Sequence, residues 1–154
     1  LNPSENENIK VVLNLTNSEE KGLGMPLPAG TMRVYKADSE GQLQFLGEDS
    51  IKHTPKDEEI RATIGNAFDL TGKRTQTEYN KVSQNTWIES YEVELKNHKS
   101  ETQTVKIVEH FYADWKITKS SDPYIKKDST TAEWEVSVPA NGSKKISYTV
   151  ERTY

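Results

Sequence analysis

The sequence predicts an all-β protein: an antiparallel β-sandwich in its C-terminal half, with a β-rich N-terminal half packed on or beside it. Three observations carry that reading. From Trp87 to the C-terminus apolar and polar residues alternate almost without a break, as strands with one buried and one wet face require. Turn chemistry separates the runs, as in Asp38-Ser39-Glu40-Gly41 and Pro139-Ala140-Asn141-Gly142, where Asp, Asn and Gly supply the backbone conformations that hairpin loops need. No segment carries a helical period long enough for more than one turn.

Taken in order, Val11, Leu13 and Leu15 alternate with polar or smaller residues and predict a first strand, followed by a loop from Asn17 to Lys21. Gly22 to Gly30 contains Pro26 and Pro28, which lack backbone donors and keep this stretch extended outside any central sheet position. Thr31–Lys36 and Gln42–Glu48 form a hairpin around the Asp38–Gly41 loop. His53-Thr54-Pro55-Lys56-Asp57 is the one helix-like signal of the first half: Thr54 as cap, Pro55 at the first helical position and Asp57 three after the cap predict a single turn. Ile60, Ala62 and Ile64 predict a strand, and Phe68 and Leu70 open a further one that runs into the Thr-rich stretch 71–85. Neither face of that stretch is apolar enough for a core, so it reads as an exposed or edge ribbon. Trp87–Lys96, Thr102–Phe111, Asp114–Lys119, Thr131–Val138 and Lys144–Arg152 complete the set, and strands at this spacing imply a sandwich.

Composition narrows the class. Of 154 residues only 32% are hydrophobic, and the net charge is -4; low charge and periodic placement of the apolar residues together predict a folded chain with a thin core. The absence of cysteine excludes disulfides and thiolate chemistry. A pI near 5.5 without a basic stripe argues against nucleic acid as a partner, and no run of roughly 18 apolar residues offers a membrane span. Residues 1–84 are expected to form the N-terminal portion and 85–154 the sandwich, or the two to be one continuous unit. A start at Leu1-Asn2-Pro3 without a leader pattern reads as a piece of a longer protein.

Several short motifs occur in a fixed order: Leu27-Pro28-Ala29-Gly30, Arg33-Val34-Tyr35, Phe45-Leu46-Gly47-Glu48-Asp49, His53-Thr54-Pro55-Lys56-Asp57-Glu58, Ala67-Phe68-Asp69, Asn97-His98-Lys99, Val108-Glu109-His110 and Trp115-Lys116-Ile117. Over roughly residues 11–154 this order resembles a bacterial family of unknown function, the C-terminal domain of mucoidy-inhibitor-A-like proteins. The resemblance implies an all-β, immunoglobulin-like domain that follows other domains in longer members, and it leans toward the cell envelope. It brings no activity, cofactor or site residue with it.

The candidate sites are few. His53 with Asp57, Glu58 and Glu59 is the densest polar cluster; it reads as a divalent-cation or general-base site, or as a capped turn, which one loop of ligands favours. Glu109 lies in phase with Val105, Ile107 and Phe111, while His110 faces the other way, so the two do not converge on one ion. A carboxylate on an apolar face is expected at the sheet margin or paired with a cation. Trp87, Trp115 and Trp134 are each in phase with apolar neighbours and are expected in the core rather than as a sugar-stacking platform. On the 71–85 ribbon, Lys73, Arg74, Glu78 and Lys81 are the kind of charges that restrain an exposed strand edge. No cofactor motif is present, and no cofactor is expected. The leading functional expectation is a non-enzymatic module, a structural spacer or a domain that binds a protein partner or itself through an edge strand. The alternatives are a hydrolase or metal-dependent enzyme built on His53, Asp57 and Glu58, and a carbohydrate-binding module.

Overall fold

A computed structural model describes residues 5–154, with side chains described from residue 9 onward. The fold is all-β. Its strands are β1 (Glu5–Thr16), β2 (Gly30–Ala37), β3 (Leu43–Ile51), β4 (Glu59–Lys81), β5 (Thr86–Asn97), β6 (Gln103–His110), β7 (Asp114–Ser120), β8 (Ile125–Lys126), β9 (Thr131–Val138) and β10 (Ser143–Thr153). They form a five-stranded sheet in the order β1-β4-β5-β10-β7, a three-stranded sheet β6-β9-β8 and a two-stranded sheet β2-β3. The β4–β5, β5–β10, β10–β7, β6–β9, β8–β9 and β2–β3 pairings are all antiparallel.

Two compact units share the long strand β4: Ile9–Ala67, and a second built on Phe68–Tyr154. The division thus falls at Phe68 rather than near residue 84. The reason is the ladder: β4 pairs with β5 from Leu70↔Asn97 to Lys81↔Trp87, so the Thr-rich ribbon belongs to the C-terminal unit. The two strands expected around Ile60 and Phe68 are one continuous strand, and the loop after Ser120 contains the short β8, which pairs with β9.

In the C-terminal unit the predicted alternation becomes a core. Tyr91, Val93 and Leu95 of β5 and Ile146, Tyr148 and Val150 of β10 are buried, as are Val105 and Ile107 of β6 and Trp134, Val136 and Val138 of β9. Trp134, fully buried in the three-stranded sheet, sits 4.8 Å centroid to centroid from Tyr148 of the five-stranded sheet. Phe111 in turn packs 4.8 Å from Trp115 of β7 and 6.2 Å from Tyr148. The inner faces of the two sheets therefore meet through aromatic rings, the side chains that bury the most area per residue. Trp115 and Trp134 are core residues as expected. Trp87 is only half-buried, because it stands at the end of β5, where it meets Tyr154 edge-on and carries the Lys81 ammonium over its ring.

The N-terminal unit is built differently. Its buried residues are Asn17, Thr54, Ile60 and Ala62, so apolar burial there is slight. The β2–β3 hairpin comes close to β4: a Cβ added at Gly47 would land on the Ile64 carbonyl oxygen, so only glycine permits the approach. Asp49 fixes the same contact by accepting the Thr63 amide at 2.7 Å. The Asp38–Gly41 loop forms as predicted, with the Asp38 carboxylate accepting the amides of Glu40 and Gln42.

The helical turn expected at His53–Asp57 is absent. Thr54 forms an isolated bridge with Leu27 and donates its hydroxyl to the Lys52 carbonyl instead of capping, while Asp57 adopts φ 68°. The one helical turn among the described residues lies instead at Glu19–Lys21.

Candidate functional site

The inward phase of the C-terminal unit's strands carries charges as well as rings. On β5, Glu89 precedes Tyr91, Val93 and Leu95 at two-residue spacing and is 2% exposed. On β10, Arg152 continues the phase of Ile146, Tyr148 and Val150; on β4, Arg74 and Gln76 continue that of Leu70 and Gly72. Strand geometry sends all four into the interior, where they must find partners.

They find one another. Arg152 grips Glu89 through two guanidinium nitrogens, with Nε at 3.1 Å from Oε1, and the Tyr91 hydroxyl donates to the second carboxylate oxygen. Gln76 Nε2 donates to the Tyr91 oxygen at 3.0 Å. The Arg74 guanidinium lies over the Tyr91 ring, 3.8 Å from its centroid; its Nε donates to Glu109 Oε1 at 2.8 Å and its Nη2 to the Tyr148 hydroxyl at 3.4 Å. Glu109 comes from β6, in the opposite sheet. Two ion pairs, Arg152–Glu89 within one sheet and Arg74–Glu109 between sheets, are thus joined through Tyr91.

Burial, with Glu109 beside it, pushes the Tyr148 phenol above its ordinary pKa, and burial with Glu89 does the same for Tyr91; both are neutral at physiological pH. Burial opposes the charges on the arginines. For Arg74 the Tyr148 oxygen and Glu109 outweigh it, and for Arg152 Glu89 does, so both pKa values lie above the ordinary one. Among the described residues every buried side-chain nitrogen and oxygen has a partner. The arrangement therefore cross-links the two sheets: it fixes their register through charge-assisted bonds whose geometry a shifted strand would lose.

The residues singled out from sequence fall into separate places. Glu109, expected to meet a cation, pairs with Arg74. Arg74 itself was expected as an exposed ribbon charge, and the structure corrects this: it points inward, because it shares the phase of Leu70 and Gly72. Lys73, Glu78 and Lys81 are exposed; Glu78 accepts from Ser90 Oγ at 3.0 Å and Asn80 Nδ2 at 2.7 Å. His110 is exposed, with Nδ1 3.3 Å from the Thr131 hydroxyl.

His53, Asp57 and Glu58 are all exposed in the N-terminal unit. His53 Nδ1 accepts the Ala29 amide at 3.2 Å, the Asp57 amide donates to the Asn17 carbonyl, and the Glu58 carbonyl accepts the Asn17 amide. No group of three His, Asp or Glu side chains among the described residues is arranged to hold a metal ion.

What organises that loop is Asn17, which sequence reasoning passed over as a loop residue. Fully buried, it donates Nδ2 toward the carbonyls of Met25, Thr54 and Pro55 at 2.8–3.1 Å and accepts the Gly24 amide at 3.0 Å. Asn97 does the same in the C-terminal unit, donating toward the carbonyls of Glu101, Val138 and Pro139 and accepting the Lys99 amide. Glu89, Gln76 and Arg152 were missed too, although each lies in phase with apolar residues, the signal that singled out Glu109. Comparison with known protein families, with curated proteins and with solved structures finds no match to this chain.

Proposed function

We propose that the chain is a non-enzymatic β module of a larger bacterial protein, serving as a structural spacer and as a domain that accepts a protein strand along the 71–81 segment of β4. Its resemblance to the C-terminal domain of mucoidy-inhibitor-A-like proteins, with immunoglobulin-like connectivity and a place in the cell envelope, belongs to the same reading. The observation that carries the proposal is the mismatch in strand length around β4. β1 has 12 residues and β4 has 23, and the end of β1 is tied to the start of β4, because Asn17 exchanges backbone hydrogen bonds with Asp57 and Glu58. The described part of β1 therefore runs alongside the first half of β4. Thr71–Lys81 is laddered to β5 on one side, and its other side is the flank on which the proposal places the partner strand. An open strand flank is a template for a further strand. The inward charges support the spacer role, since Arg74, Glu109, Glu89 and Arg152 are engaged with one another rather than turned toward a ligand.

The test is amide hydrogen exchange on the intact chain, with and without excess synthetic peptide of the sequence of residues 70–82. Slowed exchange confined to the 71–81 amides is expected; exchange unchanged by the peptide contradicts the reading.

A further inference from the structure

The solvent face of the five-stranded sheet, opposite the face that carries the core, has a hollow in its middle. Glu89 and Tyr91 of β5 and Tyr148 and Val150 of β10 are buried, so Ser90 and Thr149 between them point outward. These two stand opposite each other in the ladder. Lys119 of β7 is the partner of Thr149 on its far side, and Glu78 of β4 is the partner of Ser90. One row across four strands therefore reads carboxylate, hydroxyl, hydroxyl, ammonium. Ser147, the next outward residue of β10, is also short, while beside it Lys145 and Glu92 are long and bonded to each other at 2.9 Å. Short side chains walled by long ones leave a hollow of about 400 Å³, with Thr77, Ser90, Lys119, Ser121, Ser147 and Thr149 in its lining. That volume is in the range of small-ligand clefts.

The hydroxyl protons of this row have a fixed direction. Ser90 gives its one proton to Glu78 Oε2 at 3.0 Å, because a carboxylate only accepts. Ser90 Oγ is therefore the acceptor in its 2.8 Å contact with Thr149 Oγ1, so Thr149 donates there and keeps lone pairs for a further donor. At the β7 end, Ser121 donates to Asp122 Oδ2 at 2.7 Å and accepts the Ser147 amide at 2.9 Å, with Asp122 held by Lys144 at 2.6 Å. Lys119, in no ion pair among the described residues, supplies N–H donors beside Thr149. The row thus offers acceptors and donors together, under charges of both signs. An inorganic anion brings acceptors alone and is opposed by Glu78; a cation is opposed by Lys119. A neutral polyhydroxyl compound brings a donor and an acceptor on each oxygen. We infer that the hollow binds a neutral sugar, a hexopyranose whose hydroxyls donate to Thr149 Oγ1 and accept from Lys119 Nζ. Hydroxyls already ordered by Glu78 and Asp122 lower the cost of binding it. The site lies on the face of the sheet, within the C-terminal unit, and stands apart from the strand-accepting reading.

Two-dimensional amide NMR of the intact chain, titrated with maltose, cellobiose and lactose and separately with inorganic phosphate, tests this. Saturable shifts confined to the amides of residues 77–78, 90–91, 119–121 and 147–149 are expected with at least one sugar. Thr149→Val removes the hydroxyl and keeps the branched shape; it and Lys119→Met are each expected to weaken that sugar about fivefold or more. Unchanged far-UV circular dichroism checks that both variants fold. Thr149→Ser keeps the hydroxyl and should bind as the wild type does. No shift from any of the three sugars overturns the inference, as does phosphate moving the same amides at lower concentration than the sugars. A sugar whose affinity both Thr149→Val and Lys119→Met leave unchanged overturns it too, by moving the contact elsewhere.

Discussion

Asn17 and Asn97 do the same local chemistry in two very different settings. Each is buried at the end of a strand, each gathers three backbone carbonyls with its amide nitrogen, and each accepts one backbone amide with its oxygen. Asn97 belongs to a unit with a core of rings and aliphatic side chains, including Leu95, Val138 and Ile146, and with the Arg74–Glu109 ion pair that bridges its sheets. Around Asn17 the buried set is Thr54, Ile60 and Ala62. In the C-terminal unit the asparagine tidies two loops, 97–101 and 139–142, at the edge of a structure that apolar burial holds. In the N-terminal unit it is itself the centre: it joins three segments that would otherwise have little to bury. A hydrogen-bonded hub contributes only about 0.5–1.5 kcal/mol per bond net, whereas each large apolar side chain taken from water contributes about 1.5–3 kcal/mol. The same residue is therefore dispensable in one unit and decisive in the other.

The largest expected effect falls on the charged cross-link of the C-terminal unit. Arg152→Met leaves the buried Glu89 carboxylate with Tyr91 as its partner, and removing one member of a buried pair costs about 3 kcal/mol or more. Urea unfolding should register that loss in the C-terminal transition alone. The double change Arg152→Met/Glu89→Leu should recover most of it, because replacing both charges by apolar groups removes the stranded one. A double variant no better than the single one would mean that the pair, rather than the apolar core, holds that unit.

A smaller effect belongs to the N-terminal unit and to acid. The amides of Thr63 and Ser50 hold the Asp49 carboxyl below its ordinary pKa of 3.8. A depressed folded-state value means that this contribution is complete above pH 3.8 and is lost as pH falls through the lower folded-state pKa. As pH falls below 3.8 the N-terminal unit should lose protection from amide exchange, and Asp49→Asn should flatten that dependence. An unchanged acid profile in the variant would show that Asp49 does not anchor the β2–β3 hairpin to β4.

Much of this was legible from residue spacing, and the omissions have a common cause. The alternation from Trp87 onward located every strand from β5 to β10 except β8, whose two residues are too few to show a period. The inward side of Glu109 could be read for the same reason. Arg74, Gln76, Glu89 and Arg152 sit at apolar positions of their strands, but their polarity masked a phase that backbone geometry enforces regardless of side chain. Arg74 was read by its charge instead of its place after Leu70 and Gly72. Asn17 was illegible for another reason: its partners are carbonyls of residues 25, 54 and 55, and no local spacing encodes contacts that distant. The His53–Asp57 motif satisfied the rules of a helix start, yet the Thr54–Leu27 bridge drew its backbone into an extended pairing.

The contrast between the two asparagines is tested most directly by substituting each with alanine and following amide hydrogen exchange residue by residue. Asn17→Ala is expected to strip protection across residues 9–67 while the strands β5 to β10 keep theirs. Asn97→Ala is expected to raise exchange in the 97–101 and 139–142 loops and leave the strand amides around Trp134 and Tyr148 protected. Equal losses in both variants, or a C-terminal unit that opens throughout with Asn97→Ala, would contradict the account.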